Sequence, residues 1–333
     1  MTIKTFPALV VSATEDNTYL REIKERNLQD LPAGDVLVRV KYSSLNYKDV
    51  LSATGNKGVT KNYPHTPGID AAGVVEESQS LDFKPGDEVI VTGYDLGMNT
   101  PGGFGQFIRV PAAWVVKRPD GLSLRDSMIY GTAGFTAALS VYRLLDYGMK
   151  PERGKILVSG ATGGVGSVAV SILAKEGFQV TAASGRPETR DYLAEIGARE
   201  IISAEEATDQ SSRALLKEQW AGAVDTVGGP LLATTIKSVK YGGGVTCCGN
   251  VASPDLSLTV YPFILRGITL MGIDSQNCPM PTRVKVWQNL AGPWKLPHLE
   301  RLVTETTLEG LNQQIDLMLA RRHQGRTIVR LPE

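Results

Sequence analysis

The pattern of hydrophobic and polar positions divides the chain into two stretches of different character. Up to about residue 125, short apolar runs are separated by turn signals. VLVRVKYSS at 36–44 alternates partly in period two, and PGDEVIVTG at 85–93 places a Pro-Gly-Asp turn before an apolar run. PGGFGQFIRVP at 101–111 has the composition of a glycine-rich loop followed by a strand. The first stretch is therefore predicted to be mostly β.

From about residue 129, apolar runs alternate with amphipathic segments. KILVSG at 155–160 and QVTAAS at 179–184 predict short buried strands, and GVGSVAVSILAKEGF at 164–178 repeats apolar residues at helical spacing between them. The later segments with the same alternation are DYLAEIGA, REIIS, GAVDTVGG at 222–229, GGVTCCGNV at 243–251 and GITLMGID at 267–274. This alternation predicts an α/β fold with a parallel, doubly wound sheet. GRTIVRL at 325–331 is a last predicted strand, which we expect to rejoin the first domain.

The strongest motif is SGATGGVG at 159–166, between a predicted strand and a predicted helix. Glycines in this position allow the backbone to approach a pyrophosphate, and the helix N-terminus offers free amides to that anion. In the usual G-x-G-x-x-G form, the first glycine falls at Ala161, a mild departure. A purely structural turn is the alternative. The residues predicted to hold the cofactor here are Thr162, Gly163, Gly164, Val165 and Gly166.

The end of the second strand of this unit indicates which dinucleotide is bound. An NAD site usually places Asp or Glu there to hold the ribose 2′-hydroxyl, whereas this chain has Ser184, Gly185 and Arg186. A serine hydroxyl and a guanidinium can both bind a 2′-phosphate. The segment therefore predicts NADPH, with a solvated arginine after a turn as the alternative.

Length and charge narrow the class of protein. A chain of 333 residues is expected to form two domains, and Lys plus Arg equal Asp plus Glu at 35 each. This balance argues against nucleic acid or an anionic membrane as the main partner. No apolar run is long enough to span a membrane, and MTIKTFPALVV lacks the pattern of a signal peptide. Three cysteines with an adjacent pair make a poor disulfide framework, so we expect a cytoplasmic protein.

Several motifs together resemble the medium-chain dehydrogenase/reductase superfamily, in its zinc-free, quinone-oxidoreductase-like group. These motifs are SSLNYKD at 43–49, PGIDAAGVV at 67–75, PGDEVIVTG, GTAGFTAA at 131–138, SGATGGVG, DTVGG at 225–229 and PFILRGITLMGIDS at 262–275. The combination of SLNYKD, GTAGFTA, SGR and PFILR resembles the acryloyl-CoA reductase branch more specifically.

The resemblance implies an architecture and an activity. A GroES-like catalytic domain is expected at 1–128, completed by 276–333, with a Rossmann NADPH-binding domain at 129–275. The implied reaction is NADPH-dependent reduction of the carbon–carbon double bond of a short 2-enoyl-CoA such as acryloyl-CoA. The alternatives are an NADPH:quinone oxidoreductase and a non-catalytic NADPH-binding protein. A homodimer is also implied, with the Rossmann edge strand near GITLMGID as its expected interface.

The resemblance implies that no metal is bound. Zinc alcohol dehydrogenases of this superfamily carry a ligand cysteine near the position of Asn46 and a His-Glu pair where this chain has Ile69-Asp70. Ile69 cannot bind a metal, and the four-cysteine structural lobe is missing. Conjugate reduction does not need a Lewis acid, because hydrogen-bond donors can hold the developing enolate oxygen.

The loop that replaces the metal ligand supplies the predicted catalytic residues, which are Asn46, Tyr47 and Asp49. Family geometry implies that Asn46 and Tyr47 face the nicotinamide, and Tyr47 could donate a proton or hydrogen bond to the enolate. Asp49 could orient the loop. Alternatively, Asn46 is the N-cap of a helix that begins at Tyr47, and Tyr47 is a pocket wall.

Further positions complete the predicted cofactor and substrate contacts. Those matching family positions near the cofactor are Thr132, Cys248, Asn250, Ile264, Ser275 and Arg326, with Cys248 more typical of a buried small hydrophobe. The basic residues considered for the CoA phosphates are Arg283, Lys285 and Lys295. His65, His298 and His323 show no spacing that indicates a hydrolase triad.

Overall fold

The computed structural model describes residues 5–297 and 299–333, and the chain divides into two compact units. The first unit runs to Thr132 and includes Gln276–Gly292 and Leu299–Glu333, while the second is Ala133–Ser275 with a short segment that begins at Pro293. The strands, in chain order, are β1 (Thr5–Ala13), β2 (Tyr19–Asn27), β3 (Val36–Leu45), β4 (Asp70–Ser78), β5 (Glu88–Thr92), β6 (Phe107–Val110), β7 (Val115–Lys117), β8 (Ile156–Val158), β9 (Val180–Ser184), β10 (Glu200–Ser203), β11 (Trp220–Asp225), β12 (Val239–Cys247), β13 (Thr269–Gly272), β14 (Val303–Thr306) and β15 (Arg326–Arg330). The helices are α1 (Tyr47–Ala53), α2 (Leu124–Asp146), α3 (Gly164–Lys175), α4 (Arg190–Glu195), α5 (Gly229–Ser238), α6 (Tyr261–Arg266), α7 (Met280–Ala291) and α8 (Leu308–Leu319).

The first unit is built on a seven-stranded sheet. Its strands lie in the order β14-β15-β3-β4-β5-β7, and β6 pairs with β3. The hairpin of β1 and β2 forms a separate two-stranded sheet. Apolar residues of these strands pack with α8 into one core, and the expected strands at 36–44 and 85–93 are confirmed as β3 and β5.

The last strand rejoins this unit, as the sequence predicts. β15 pairs antiparallel with β3, so that Thr327 lies opposite Leu45 and Arg330 opposite Tyr42. This pairing brings Arg326, the first residue of β15, beside the end of β3. The loop at Asn46 follows β3 directly, so the C-terminal strand supplies a side chain to that loop.

The second unit contains a six-stranded parallel sheet in the order β10-β9-β8-β11-β12-β13. Taken in sequence order, this is the 3-2-1-4-5-6 arrangement of a doubly wound dinucleotide-binding sheet, which confirms the predicted class. The strand order reverses between β8 and β11, and ligands gather outside the carboxyl ends of the strands at such a point. The glycine-rich motif lies between β8 and α3, at this reversal.

None of the helices in the part of the chain that the structure describes has the length and apolar character that a membrane span requires.

Candidate active site and dinucleotide loop

A buried carboxylate, Asp70, is the centre of a polar cluster in the first unit. Its Oδ2 accepts hydrogen bonds from the Ser44 hydroxyl at 2.6 Å and from Asn46 Nδ2 at 2.7 Å. Thr132 donates its backbone N–H to Oδ2 at 2.8 Å and its hydroxyl to Oδ1 at 2.5 Å. A carboxylate without solvent needs such donors, because an unpaired buried charge is costly.

Arg326 provides the positive charge of this cluster. It is 2% exposed, and its guanidinium donates to the carbonyls of Ile129 and Leu45. It also donates to the Ser44 hydroxyl at 2.9 Å, and its Nη2 lies 3.9 Å from Asp70 Oδ2. Burial lowers the pKa of the guanidinium, and the neighbouring carboxylates oppose this change. The position favours a role in holding the cluster together rather than contact with a cofactor.

Asn46 is fully engaged inside the same cluster. Its Nδ2 donates to Asp70 and to the Ser44 carbonyl at 3.2 Å, while its Oδ1 accepts from Arg326 Nη1 at 3.2 Å. Asn46 is also the N-cap of α1, as the structural alternative predicts. An amide with these partners is held in one orientation, so Asn46 is placed to position the loop.

Asp49 closes the first turn of α1. Its Oδ2 accepts from the Asn46 backbone N–H at 2.8 Å, and its Oδ1 accepts from the N–H groups of Ile69 and Gly68 at 2.8 and 3.1 Å. Burial raises the pKa of Asp49 to about 7, and the charge of Asp70 adds to this rise. Hydrogen bonds from the Asn46 and Ile69 N–H groups and from the Asn46 side chain work against it. Asp49 therefore ties α1 to the residues before β4.

Tyr47 is the residue of this loop that reaches solvent. It begins α1 and is 54% exposed, in contrast to its neighbours Asn46 and Asp49. Its side chain is the one of the three predicted catalytic groups that a ligand can meet directly. Lys48, the next residue, donates to Gln276 Oε1 at 2.7 Å.

A glycine in a positive-φ conformation lies against the cluster from α2. Gly131 has φ 52° and ψ −157°, which interrupts the helix just before Thr132 turns its N–H and hydroxyl to Asp70. A Cβ at Gly131 would lie 2.3 Å from the Ser44 hydroxyl and 2.5 Å from Asp70 Oδ2. No side chain fits there without displacing the cluster.

The dinucleotide loop of the second unit has the geometry that the motif predicts. A Cβ at Gly166 would lie 2.3 Å from the Gly160 carbonyl, so helix and loop approach closely. The Ser167 N–H donates to the Gly163 carbonyl, and the amides of Gly164, Val165 and Gly166 precede this bond at the helix N-terminus. Such amides can donate hydrogen bonds to the oxygens of a pyrophosphate.

Arg186 bends back to the same loop. Its Nη2 donates to the Thr162 hydroxyl at 2.5 Å, and its backbone N–H donates to the Ser184 hydroxyl at 3.1 Å. Ser184 is buried at the end of β9, and Gly185 between them is exposed. The structure thus brings together the predicted phosphate-binding loop and the residues predicted to select the cofactor.

The reversal point of the sheet is held by Asp225. Its carboxylate accepts from the Ser159 hydroxyl at 2.7 Å and from the Gly228 N–H at 2.8 Å, and burial raises its pKa. Cys248 packs beside it, with Sγ 3.3 Å from the Asp225 carbonyl. Burial, with smaller effects of Asp225 and Cys247, raises the pKa of Cys248 to about 12. The thiol is therefore unreactive at neutral pH.

The remaining residues predicted to contact the cofactor or the CoA phosphates differ in exposure. Asn250 is exposed, Ile264 is 67% exposed on α6, and Ser275 is half-buried. Arg283 is buried and donates to the Thr92 and Gln276 carbonyls at 2.8 and 3.0 Å, so the idea that it meets CoA phosphates is wrong.

Lys285 and Lys295 are both exposed. His298 lies outside the described residues. Within residues 5–297 and 299–333, no group of three or more His, Cys, Asp or Glu could hold a metal ion.

Asp70, Ser44 and Gly131 belong to the polar cluster and are not among the site residues that the sequence analysis predicts. The signal was present, because an aspartate inside the apolar run PGIDAAGVV has to find donors once the strand is buried. The partners could not be found in the same way, since Ser44, Thr132 and Arg326 come from three distant elements.

Two family descriptions match parts of the chain. The alcohol dehydrogenase GroES-like domain family matches residues 32–120, and the zinc-binding dehydrogenase family matches residues 164–291. The YhfP protein of Bacillus subtilis (strain 168), provisionally named a quinone oxidoreductase, is 46% identical over 327 residues, covering 98% of this chain and 99% of its own. Acrylyl-CoA reductase AcuI of Ruegeria pomeroyi is 44% identical over 325 residues, covering 97% and 98%.

Solved structures show the same similarity. The crystal structure of the yhdH oxidoreductase from Salmonella enterica in complex with NADP has a TM-score of 0.95 and 43% identity, covering 98% of this chain and all of that one. The crystal structure of Bacillus subtilis yhfP with NAD bound has a TM-score of 0.96 and 45% identity, covering 99% of this chain and 100% of that one.

Proposed function

The chain belongs to the medium-chain dehydrogenase/reductase superfamily, in the group that contains acrylyl-CoA reductases and quinone oxidoreductases, and from this premise we propose the reaction that it catalyses. It reduces the carbon–carbon double bond of a short 2-enoyl-CoA thioester, such as acryloyl-CoA, with NADPH. The observation that carries the proposal is the 44% identity to an acrylyl-CoA reductase over nearly the full length of both chains.

NADPH fits the residues of the second unit. The close approach of Gly166 to the Gly160 carbonyl leaves the helix N-terminus open for a pyrophosphate, at Thr162, Gly163, Gly164, Val165 and Gly166. Ser184, Gly185 and Arg186 would hold the 2′-phosphate. Bound NADPH supplies the hydride that adds to the β carbon of the substrate.

In the proposed mechanism, Tyr47 is the catalytic residue. Its phenol hydroxyl donates a hydrogen bond to the thioester oxygen, which gains negative charge as the hydride adds to the β carbon and loses it when the α carbon takes a proton from water. Asn46 and Asp49 act as positioning residues, because their polar atoms are already bonded inside the first unit. Arg326 and Asp70 keep Asn46 in its orientation. Thr132 ties α2 to the same carboxylate.

The structure supports metal independence. Ile69 is buried and apolar, and Asp70 is bound by Ser44, Asn46 and Thr132. We therefore expect no stoichiometric zinc by elemental analysis of the purified protein, and no loss of rate on adding a chelator. One tightly bound zinc per chain would overturn this part of the proposal.

Other parts of the proposal concern organisation and environment. We retain a catalytic domain at 1–128 and 276–333 and an NADPH-binding domain at 129–275, supported by the division into compact units. A cytoplasmic homodimer is also proposed. Exposed apolar side chains on α6 support self-association, and free thiols at Cys247 and Cys248 suit a reducing compartment.

A substrate panel tests the reaction. Acryloyl-CoA, crotonyl-CoA and simple quinones are each assayed with NADPH, following its oxidation and identifying the product by mass. We expect acryloyl-CoA to be reduced to propionyl-CoA with the highest kcat/KM. Fast quinone reduction without thioester reduction would favour the quinone oxidoreductase alternative, for which the name of the Bacillus relative is the support. No turnover of any substrate would favour a non-catalytic NADPH-binding protein.

A further inference from the structure

The loop between α1 and β4 carries two exposed lysines that the mechanism does not use. Lys57 and Lys61 are both exposed, and no Asp or Glu occurs between Asp49 and Asp70. We call residues 54–66 the lysine loop. Its charge is not neutralised from within, because Asp49 and Asp70 at either end are buried in the polar cluster.

The lysine loop is held in a defined shape. Asn56 donates its N–H to the Leu51 carbonyl at 2.9 Å, and its own carbonyl accepts from the N–H groups of Val59 and Thr60 at 3.0 Å. The Thr60 hydroxyl bonds to the Ser52 hydroxyl of α1 at 2.6 Å. The backbone that carries the two lysines is thus fixed to the helix that begins at Tyr47.

The side chain of Lys57 is also fixed in place. Lys57 Nζ lies 4.7 Å from the centre of the Tyr63 ring and donates to the Lys61 carbonyl at 3.0 Å. Tyr63 itself is fixed, since its hydroxyl donates to the Ser52 carbonyl at 2.6 Å and its ring packs against Tyr19. Lys57 and Lys61 therefore present their charges from one ordered surface.

A carboxylate is found beside this surface. Asp95 accepts from Asn99 Nδ2 at 2.9 Å and from the Thr100 hydroxyl at 3.1 Å, and the Asn99 Oδ1 accepts from the Lys61 N–H at 3.3 Å. Asp95 is thus engaged by neutral donors, and no ion pair between it and either lysine is found in the described residues. The lysines keep their charge available for an anion from solution.

Both ends of the lysine loop are anchored at the proposed reaction centre. Tyr47 is the first of the seven residues of α1, and the lysine loop begins directly after this helix, a rise of about 10 Å from Tyr47. At its other end, the N–H groups of Gly68 and Ile69 donate to Asp49. A substrate whose thioester meets Tyr47, and whose tail is a long flexible chain ending in phosphates, can reach this surface.

We infer that the lysine loop recognises the phosphates of the CoA part of the substrate, with Lys57 and Lys61 as the cations that meet them. This inference rests on the proposed function. Lysine ammonium groups bind phosphate as point charges and tolerate a mobile partner. Arg283 is less suited because it is buried, and Lys48, next to Tyr47, is less suited because it is bonded to Gln276.

The test compares two thioesters that share the acryloyl group. Acryloyl-CoA carries the nucleotide, whereas acryloyl-N-acetylcysteamine lacks it. In the double variant Lys57→Gln/Lys61→Gln, we expect KM for acryloyl-CoA to rise about tenfold with kcat nearly unchanged, and the effect to shrink at high salt. Kinetics with the truncated thioester should not change. Lys84→Gln, at an exposed turn of the same unit, is the matched control.

The outcomes separate this inference from the proposed function. If the unaltered protein reduces acryloyl-CoA and the double variant keeps its KM, the inference fails and the function stands. If neither thioester is reduced, the function fails, and binding decides the inference. CoA titrated by calorimetry into NADPH-saturated protein should then bind the unaltered chain and bind the double variant about tenfold more weakly. Equal binding, or none to either protein, would overturn it.

Discussion

Tyr47 and its neighbours Asn46 and Asp49 have different environments although they are adjacent in the chain. Asn46 and Asp49 use their polar atoms on Asp70, Arg326 and the backbone, whereas Tyr47 reaches solvent. A side chain without competing partners can respond to the charge that appears on a substrate. Burial therefore explains why Asn46 and Asp49 bind other protein groups while Tyr47, in the same helical turn, can bind a substrate.

Substituting Tyr47 with Phe tests the proposed donor. We expect kcat for acryloyl-CoA to fall about a hundredfold or more, because one oxyanion donor is lost, with KM for NADPH nearly unchanged. The measurement is steady-state kinetics with both substrates varied. Tyr241→Phe, at another exposed tyrosine, should behave like the unaltered enzyme. Normal turnover by Tyr47→Phe would reduce Tyr47 to a wall of the pocket.

Asp49 should make stability depend on pH. Its folded pKa of about 7 is above its ordinary 3.8, so the folded state holds a proton that the unfolded state releases between these values. The contribution of Asp49 to the free energy of unfolding is therefore fully present below pH 4 and is lost as pH rises to about 7. It amounts to a few kcal/mol at most.

The test is urea unfolding of the unaltered protein and Asp49→Asn at several pH values. Since the neutral amide cannot ionise, the free energy of unfolding of Asp49→Asn, relative to the unaltered protein, should rise between pH 4 and 7. A difference between the two proteins that is independent of pH would show that Asp49 titrates normally.

The residues within the sequence motifs were predictable as site residues, but the distant residues that they contact were not. The SSLNYKD segment indicated Asn46, Tyr47 and Asp49, and the capping alternative for Asn46 is confirmed. Asp70 was missed because its hydrogen-bond and ion-pair partners come from β3, α2 and β15, which are far apart in sequence. Hydrophobic periodicity carries no information on which distant polar groups will meet.

At the level of elements, the break in α2 links backbone conformation to the polar cluster. Gly131 leaves helical geometry, and Thr132 can then direct both of its donors to Asp70. The conformation is one that only glycine adopts readily. The break is thus a requirement of the cluster rather than an irregularity of the helix.

The variant Gly131→Ala should unfold more easily by about 3 kcal/mol or more, because strained φ/ψ adds to contacts of 2.3–2.7 Å with Ser44, Asp70 and Arg326. Gly148→Ala is the matched control. That residue has φ 91° with no atom within 4 Å of a Cβ, so its cost should be about 1–2 kcal/mol. Urea unfolding compares them, and equal losses would mean that the cluster adapts to the methyl group.

Most strands that the sequence predicts are found, since short apolar runs between turns leave few alternatives. β3, β5, β8, β9 and β15 lie where expected. The pattern did not reveal β2, whose largely exposed positions carry no clear apolar alternation. Nor did the pattern show that helical segments lie on both sides of Gly131, because propensity argues for ending a helix at a glycine.

For the whole molecule, cofactor choice depends on how β9 and the glycine-rich loop meet. Arg186→Ala should raise KM for NADPH about ten- to a hundredfold, since a lost charge-assisted hydrogen bond is worth about 1.5–3 kcal/mol. KM for NADH should hardly change. Arg190→Ala, in which the lost side chain contacts the Ile201 carbonyl nearby, is the control. Equal use of NADH and NADPH by the unaltered protein would overturn the NADPH preference; the Bacillus subtilis relative was crystallised with NAD.

The predicted homodimer needs a surface that two copies of the chain can share. β13 is the last strand of the parallel sheet, so its outer edge has unpaired backbone groups within that sheet. Beside it, α6 exposes apolar side chains, among them Ile264 and Leu265, which monomeric proteins rarely group together. A second copy related by a two-fold axis could cover the same surface on both chains.

Leu265→Lys tests this arrangement, because Leu265 is 57% exposed and its loss should not disturb the fold of one chain. Each substitution acts twice across a two-fold interface, at about 1.5–3 kcal/mol per leucine, so the dimer should dissociate at least a hundredfold more readily. Light scattering after size exclusion should find twice the chain mass for the unaltered protein and one chain mass for Leu265→Lys at micromolar concentration. Leu81→Lys, at a leucine that is 105% exposed in the first unit, should remain a dimer. If both variants keep the mass of the unaltered protein, α6 does not form the interface, and an unaltered protein with one chain mass would exclude the homodimer altogether.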